Sequence, residues 1–223
     1  MTKLRVGAET IDADAANRLV VTYLNSPSDH YAYPAYDGYP GSAGPFIGPQ
    51  DLFAPTLLNA GVRTLRAYYS LLDGLDGINE RLTEVREDVA LADADERDLA
   101  AAAHLFGYLD EATLFQVGLT KFAKIVHRKR PLLLPLWDVR IAWCYRDHPH
   151  APVPPVKGRS WERFALEVLR HMQDDLRERP ESWHRLARLT PPGGPAITAL
   201  RALDIIGWHL GGRRSARTSP GRD

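Results

Sequence analysis

The sequence of 223 residues contains a single cysteine, Cys144. One thiol cannot form an intramolecular disulfide, nor can it supply the ligands of a thiolate zinc site or a Cys-ligated iron–sulfur cluster. Motifs for a nucleophile elbow, a P-loop or a dinucleotide-binding turn are also absent from the sequence. His148 and His150 lie near Asp147 but lack the remaining ligands of a metal site. We therefore expect no metal and no cofactor.

Long apolar runs are missing as well. Stretches such as 132–137 are far below the roughly 18 residues needed to cross a bilayer. The N-terminal residues lead quickly into acidic positions without the apolar segment of a secretory signal. The prediction is a cytoplasmic protein with no membrane partner.

Net charge is also lacking, because 28 basic residues balance 28 acidic ones. A strongly basic chain would indicate a nucleic-acid partner directly, whereas here any electrostatic attraction has to be local. Hydrophobic residues make up 44% of the chain, enough for an ordinary globular core.

Sustained period-two alternation, the signal of half-buried strands, is not found. Helical spacing of apolar residues over 11–25, and again from residue 51 onward, predicts an all-α fold of about eight or nine helices. We expect a single domain over residues 1–210, interrupted by a long Tyr/Gly/Pro-rich loop at 26–50. A basic tail, 211–223, is expected to be disordered.

Residues 117–146 are the most informative stretch. The stretch contains seven Lys or Arg residues and a single acidic residue, Asp138, whereas residues 73–98 are strongly acidic. Clustered Lys and Arg side chains neutralise phosphates in nucleic-acid complexes, which is one interpretation of the stretch. The alternative is a solvated helix face that pairs with the acidic segment.

The order of residues in this stretch is more specific than its charge. Gly118 precedes Thr120 and Lys121, and Pro135 and Asp138 follow after roughly twenty residues. This order resembles the helix-hairpin-helix DNA glycosylases, whose hairpin ends in a Gly-Thr-Lys-like sequence before a Val-Pro-Val-Asp-like segment. The resemblance implies a helix-hairpin-helix element near residues 105–130 and DNA as a partner. Residues assigned to nucleic-acid binding are Gly118, Thr120, Lys124, His127, Arg128, Lys129, Arg130 and Arg140.

The same resemblance implies catalytic roles for Asp138 and Lys121. An ionised carboxylate stabilises the oxocarbenium-like centre that forms when a base departs, and a lysine with a lowered pKa can form a Schiff base with the sugar. The base must first be flipped into a pocket, for which the candidate residues are Tyr33, Tyr36, Trp137 and Tyr145. In the structural alternative, Asp138 is an ordinary helix N-cap, Lys121 is solvated, and the loop tyrosines pack on the core.

A second resemblance, to an uncharacterised bacterial all-helical domain family, extends over most of the chain. The resemblance rests on residues 51–59, residues 203–208 and the stretch 117–146. This family has no assigned activity. Two further hypotheses therefore stay open beside base excision. One is a nucleic-acid-binding module without catalysis. The other is a protein–protein interaction domain, including one that forms a homo-oligomer, in which the basic stretch meets the acidic segment of a partner chain.

Overall fold

The structure, a computed structural model, describes residues 2–26 and 31–215, with side chains as far as residue 212. Nine α-helices account for nearly half of these residues. The α-helices are α1 (Ala13–Asn25), α2 (Leu65–Asp73), α3 (Leu75–Leu82), α4 (Glu96–Glu111), α5 (Leu119–Val126), α6 (Val139–Ala142), α7 (Trp161–Glu178), α8 (Pro180–Ala187) and α9 (Ala199–Ser215). Two 3₁₀ helices, Pro49–Leu58 and Leu91–Asp93, and a π-helical turn, Trp143–Asp147, lie between them. The predicted all-α class is confirmed.

A short β-hairpin at the N-terminus is an element that the sequence pattern did not predict. Strands β1 (Lys3–Val6) and β2 (Glu9–Asp12) pair antiparallel, with Leu4 opposite Ile11 on the buried face. Gly7, at φ +61°, makes the tight turn between them. Each strand has only four residues, too few for the alternation to stand out. The predicted first helix consequently begins at Ala13 rather than at Ile11.

Side-chain caps explain where several helices begin. Asp12 accepts a hydrogen bond from the backbone of Asp14 at the start of α1. At α4, Asp95 and Asp98 form a reciprocal capping box, and Ser160 caps α7 through the backbone N–H of Arg163 at 3.2 Å. The side chains of Asp95 and Ser160 thus fix where α4 and α7 begin.

Helix α9 forms the centre of the molecule. It packs against α1, α6 and α8, while α4 packs along α7 on the other side of the core. Residues 200–207 of α9 are buried on every face, including two charged side chains, Arg201 and Asp204. A helix that is buried all round must satisfy its charges internally. These two residues therefore mark a polar site inside the core.

The described part of the long loop, residues 31–50, packs against the core. Tyr33, Tyr36 and Ile47 are buried, and the buried Asp51 carboxylate accepts the backbone N–H of Gly48 at 2.9 Å. Helix α9 continues to Ser215, past the predicted start of the tail at 211. The rest of the predicted tail, residues 216–223, and loop residues 27–30 lie outside the described part of the chain.

Asp175 on α7 fastens the hairpin to the core. Its buried carboxylate accepts the backbone N–H of Gly7 and the hydroxyl of Tyr145, both at 2.7 Å, and pairs with Arg5 at 2.6 Å. Burial raises the pKa of Asp175, and these three donors only partly oppose that effect. Tyr145, one of the residues predicted to line a base pocket, thus has a structural role here.

Candidate functional site

Asp138 is held by the first turn of α6. Its Oδ1 accepts the backbone N–H groups of Arg140 at 2.9 Å and Ile141 at 3.1 Å. This is the N-cap interaction that the structural alternative predicted, and it also fixes the direction of the carboxylate. A capping role and a functional role are therefore compatible at this residue.

An internal cavity of about 110 Å³ opens beside Asp138. We call it the ionic cavity, because four charged side chains line it. Its lining residues are Tyr23, Tyr31, Ala32, Leu57, Leu58, Asn59, Lys124, Leu136, Asp138, Arg201, Asp204, Ile205 and Trp208. They come from α1, the long loop, the first 3₁₀ helix, α5, the segment before α6, and α9.

Arg201 organises the charges on one wall of the ionic cavity. Its guanidinium forms a bidentate pair with Asp37, at 2.8 and 3.2 Å, and a hydrogen bond to the Tyr23 hydroxyl at 2.9 Å. It also pairs with Asp204, one turn along α9. The Arg201 side chain is only 3% exposed, so these pairs lie in the protein interior. One guanidinium thus serves two buried carboxylates.

Lys124 also lines the ionic cavity and donates a hydrogen bond to the carbonyl of Leu58 at 3.1 Å. Burial lowers the pKa of Lys124, although the charges of Asp138 and Asp204 oppose that effect. Burial likewise raises the pKa of Asp204 to about 6, even though Arg201 acts to lower it. The cavity therefore contains an amine and a carboxyl group that burial pushes towards their neutral forms.

A second, open groove of about 400 Å³ meets the same carboxylate. Its lining residues are Ala60, Gly118, Leu119, Thr120, Lys121, Trp137, Asp138, Val139, Ala142, Arg146 and Trp161. Asp138 lines both the groove and the ionic cavity. The backbone at Gly118, the N-cap of α5, borders open space, because a Cβ atom there would meet nothing within 4 Å.

Lys121 lies in the groove and not in the ionic cavity. Its Nζ donates to the backbone carbonyl of Gln116 at 2.6 Å. Gly118, Thr120 and Asp138 are the other predicted site residues brought together here, whereas Lys124 faces the cavity. Arg140 packs its guanidinium 3.7 Å from the centroid of the Trp208 ring, so it is placed against a cavity-lining residue.

The remaining predicted DNA-binding residues point into the protein. His127 is 3% exposed, its Nδ1 lies 2.6 Å from the carbonyl of Leu134, and burial lowers its pKa to about 4. Arg128 donates to backbone carbonyls of the long loop, including that of Tyr36 at 3.0 Å. Because neither side chain presents a free cation to solvent, neither is placed to neutralise a phosphate in this conformation.

The side chains of Lys129 and Arg130 also bond to groups inside the protein. Lys129 pairs with Asp51 at 3.1 Å, and Arg130 donates to the carbonyls of Val85 and Leu82 at 2.7 and 3.2 Å. The residues that follow α5 thus connect the loop and the turn after α3 to the core. The side chains of Lys129 and Arg130 are only 7% and 3% exposed. They therefore do not form a solvated helix face, and their role in phosphate binding stays a prediction.

None of the four aromatic residues predicted for a base pocket lines the ionic cavity. Tyr36 donates to the carbonyl of Lys124 at 2.8 Å and stacks on His127, while Tyr33 donates to the carbonyl of Pro195 at 3.0 Å. Trp137 packs edge-on against Phe164 and borders the groove. The rings that line the ionic cavity are instead Tyr23, Tyr31 and Trp208.

Sequence reasoning missed the contribution of α9. Arg201 and Asp204 stand three residues apart in the otherwise apolar segment 200–207. Two opposite charges inside a helix that is apolar on all faces are the signal that was available, because such charges are buried only when paired. Tyr23 and Tyr31 left no comparable signal.

Among the residues that the structure describes, no group of three or more His, Cys, Asp or Glu side chains is arranged to hold a metal ion. No helix in the same part of the chain is long and apolar enough to span a bilayer.

The fold and the site define an all-helical protein in which a charged, partly aromatic cavity meets an open groove at one carboxylate. The chain belongs to DUF6308, a family of unknown function whose model matches residues 16–211. No curated protein and no solved structure matches the chain. The predicted membership of an uncharacterised family is confirmed, while the resemblance to the helix-hairpin-helix glycosylases stays a prediction.

Proposed function

We propose that this protein excises a base from nucleic acid, with Asp138 stabilising the sugar cation that forms as the base departs. The observation that carries the proposal is the position of Asp138, which lines both the ionic cavity and the open groove. A nucleotide flipped out of a duplex has its base on one side of the glycosidic bond and its backbone on the other. If the base occupies the cavity and the backbone occupies the groove, the glycosidic bond lies beside the Asp138 carboxylate.

The lining of the ionic cavity supports a base as its occupant. Tyr23, Tyr31 and Trp208 offer ring faces for stacking, which is worth about 1–3 kcal/mol for each base. Lys124 and Asp204 offer polar groups that recognise the edge of a heterocycle by hydrogen bonding. An aromatic and polar lining of this kind suits a flat, hydrogen-bonding ligand better than an apolar one.

The groove supports a phosphate backbone as the second half of the ligand. Lys121 and Arg146 supply positive charge there, and Gly118 leaves the N-terminus of α5 open to a close approach. Helix N-termini bind phosphate through backbone N–H groups and the helix dipole. The proposed contacts are therefore fewer than the sequence suggested, because the cations from Lys124 to Arg130 are used inside the protein.

The Asp138 carboxylate would act electrostatically. Departure of a base leaves positive charge on the sugar ring, and a fixed negative charge beside the anomeric carbon lowers the energy of that transition state. Because two backbone N–H groups already orient Oδ1, little reorganisation is needed when the charge develops.

The test begins with binding of a labelled duplex that carries a tetrahydrofuran abasic-site analogue, compared with the unmodified duplex across a range of salt concentrations. Preference for the analogue justifies a screen of duplexes with modified bases for release of free base. Asp138→Asn is the decisive variant, because asparagine is an equally good N-cap but carries no charge. We expect it to retain duplex binding and to reduce the excision rate by about 100-fold or more.

Three outcomes would remove the proposal. Undiminished excision in Asp138→Asn would exclude this carboxylate from the reaction. Binding that does not distinguish the abasic analogue, with no base released from any duplex, would leave nucleic-acid binding without catalysis. Absence of all binding at low salt would leave a protein-interaction domain.

A further inference from the structure

Lys124 is an unusual lysine. It is 4% exposed, and its Nζ donates one hydrogen bond, to the carbonyl of Leu58 at 3.1 Å. Within residues 2–26 and 31–212, no carboxylate lies within the ion-pair distance of 4.0 Å from that nitrogen. Buried ammonium groups are normally paired, since removing a charge from water without a partner is costly. A buried lysine that stays unpaired beside a cavity is instead typical of an amine with a chemical role.

The charges around Lys124 come from several elements. Asp138 at the start of α6 and Asp204 on α9 favour its charged form, whereas burial and the guanidinium of Arg201 favour the neutral amine. The net effect is a lowered pKa, which increases the fraction of Lys124 that carries a free lone pair at a given pH. A lone pair is what attack on a carbonyl carbon requires.

Lys121 provides the contrast on the same helix. It lines the open groove, and its Nζ lies 2.6 Å from the carbonyl of Gln116. Lys124 lies one turn further along α5 and lines the ionic cavity together with Asp138. Position, and not residue type, therefore distinguishes the two amines.

We propose that Lys124, not Lys121, is the amine that forms a covalent imine with a sugar aldehyde in the ionic cavity. The inference rests on the proposed function, because loss of a base leaves an abasic sugar whose open-chain form has an aldehyde at C1′. The new part of the inference is the residue, because the resemblance implied this imine chemistry for Lys121.

The chemistry balances with the groups that line the cavity. The nitrogen lone pair of neutral Lys124 forms a bond to C1′, and one N–H proton moves to the carbonyl oxygen. The resulting hydroxyl takes a second proton and leaves as water, and the nitrogen keeps one hydrogen in the positively charged iminium. Asp204 is the proton donor available in the cavity, since burial raises its pKa to about 6.

The test uses the full chain with a labelled duplex that contains a true abasic aldehyde, in the presence of cyanoborohydride. This reductant delivers hydride to the iminium carbon, so the adduct becomes a stable secondary amine. The sequence has five lysines, Lys3, Lys121, Lys124, Lys129 and Lys157, so proteolysis and mass spectrometry can assign the adduct to one position. We expect the label on Lys124.

Three variants test the assignment of the imine to Lys124 without peptide mapping. Lys124→Met removes the amine but keeps an apolar side chain of similar length, so we expect the fold to persist and the adduct yield to fall by about tenfold or more. Lys121→Met weakens duplex binding in the groove but leaves the yield per bound duplex unchanged. Lys157→Met, at an exposed position in the connector before α7, leaves both quantities unchanged.

Thermal unfolding of each variant identifies any loss of folded protein, and Lys124→Arg gives a second variant that retains the charge but cannot form an imine. Binding of the tetrahydrofuran analogue, which has no aldehyde, is measured in parallel. Binding of the analogue together with an adduct on Lys121, on another lysine, or on none overturns the inference and leaves the proposed function standing. Failure to prefer the analogue overturns the proposed function, and the inference with it.

Discussion

Replacing Arg201 by methionine is the sharpest stability test of the charged core. In the wild-type protein its guanidinium bonds to Asp37, Asp204 and the hydroxyl of Tyr23, and its side chain is 3% exposed. Methionine fills much of the same volume but pairs with neither carboxylate. The side chains of Asp37 and Asp204, 6% and 11% exposed, would then stay buried without the guanidinium.

The expected loss of stability follows from leaving these two buried carboxylates without the guanidinium. Breaking a buried ion pair by removing one partner typically costs about 3–5 kcal/mol, and here one substitution affects two carboxylates. Even with Arg201 in place, burial raises the pKa of Asp204 from 3.8 to about 6, and this difference corresponds to roughly 3 kcal/mol against its ionised form. We therefore expect Arg201→Met to lower the free energy of unfolding by at least about 3 kcal/mol near pH 8.

The pH dependence has a definite sign. A carboxyl group whose pKa is raised in the folded state stabilises the protein at pH values below its unfolded pKa, and that contribution disappears as the pH rises through the folded value. For Asp204 the window in the wild-type protein runs from about pH 4 to about pH 6. Loss of Arg201 removes an opposing charge and raises this pKa further. The cost of the substitution should therefore be smaller at about pH 5 than at about pH 8.

Urea unfolding followed by circular dichroism at both pH values measures these quantities. Arg163→Met is the matched control, because Arg163 is 76% exposed and its pair with Glu167 lies on the surface of α7. Its effect should stay within about 0.5 kcal/mol at both pH values. An Arg201→Met cost below about 1 kcal/mol, or one that is the same at pH 5 and pH 8, would refute the reasoning.

Two further predictions concern the hairpin and the single thiol. A Cβ atom on Gly7 would lie 2.3 Å from the carbonyl oxygen of Cys144 at φ +61°, so Gly7→Ala should cost more than about 2 kcal/mol. Gly158→Ala, at φ +77° with nothing within 4 Å, should cost only about 1 kcal/mol, and equal changes in the thermal midpoints of the two variants would contradict the packing argument. Burial raises the pKa of the Cys144 thiol to about 12, so a chromogenic disulfide reagent should label it only after denaturation. Rapid labelling of the native protein would show that this thiol is accessible.

The helices were predictable because their signals are local. Apolar spacing and caps at Asp95 and Ser160 depend only on neighbouring residues, and α4 and α7 begin where those signals place them. The N-terminal hairpin was missed because four alternating residues per strand carry little information, and its stability depends on contacts such as that between Gly7 and Asp175, 168 residues apart. Local pattern therefore predicts elements and fails where an element depends on distant partners.

The candidate site, like the fold, was predictable from the sequence only in part. Asp138 was recognisable from its position in a short motif, and it lies where the cavity and the groove meet. Lys124 and Arg128 both donate to backbone carbonyls inside the protein. The sequence could not show this, because charge in a sequence does not tell which side of a helix faces solvent. Tyr36, a predicted pocket residue, bonds to the backbone of Lys124.

The sequence by itself determined the helical class and the membership of a family over residues 16–211. It also excluded an intramolecular disulfide, because the sequence has one cysteine. Only the tertiary structure decided which charges are internal, since Lys124, Asp138 and Arg201 come from three separate segments and meet around one cavity. The physical reason is that helical periodicity acts over a few residues, whereas the pairing of a buried charge depends on whatever the folded chain places beside it.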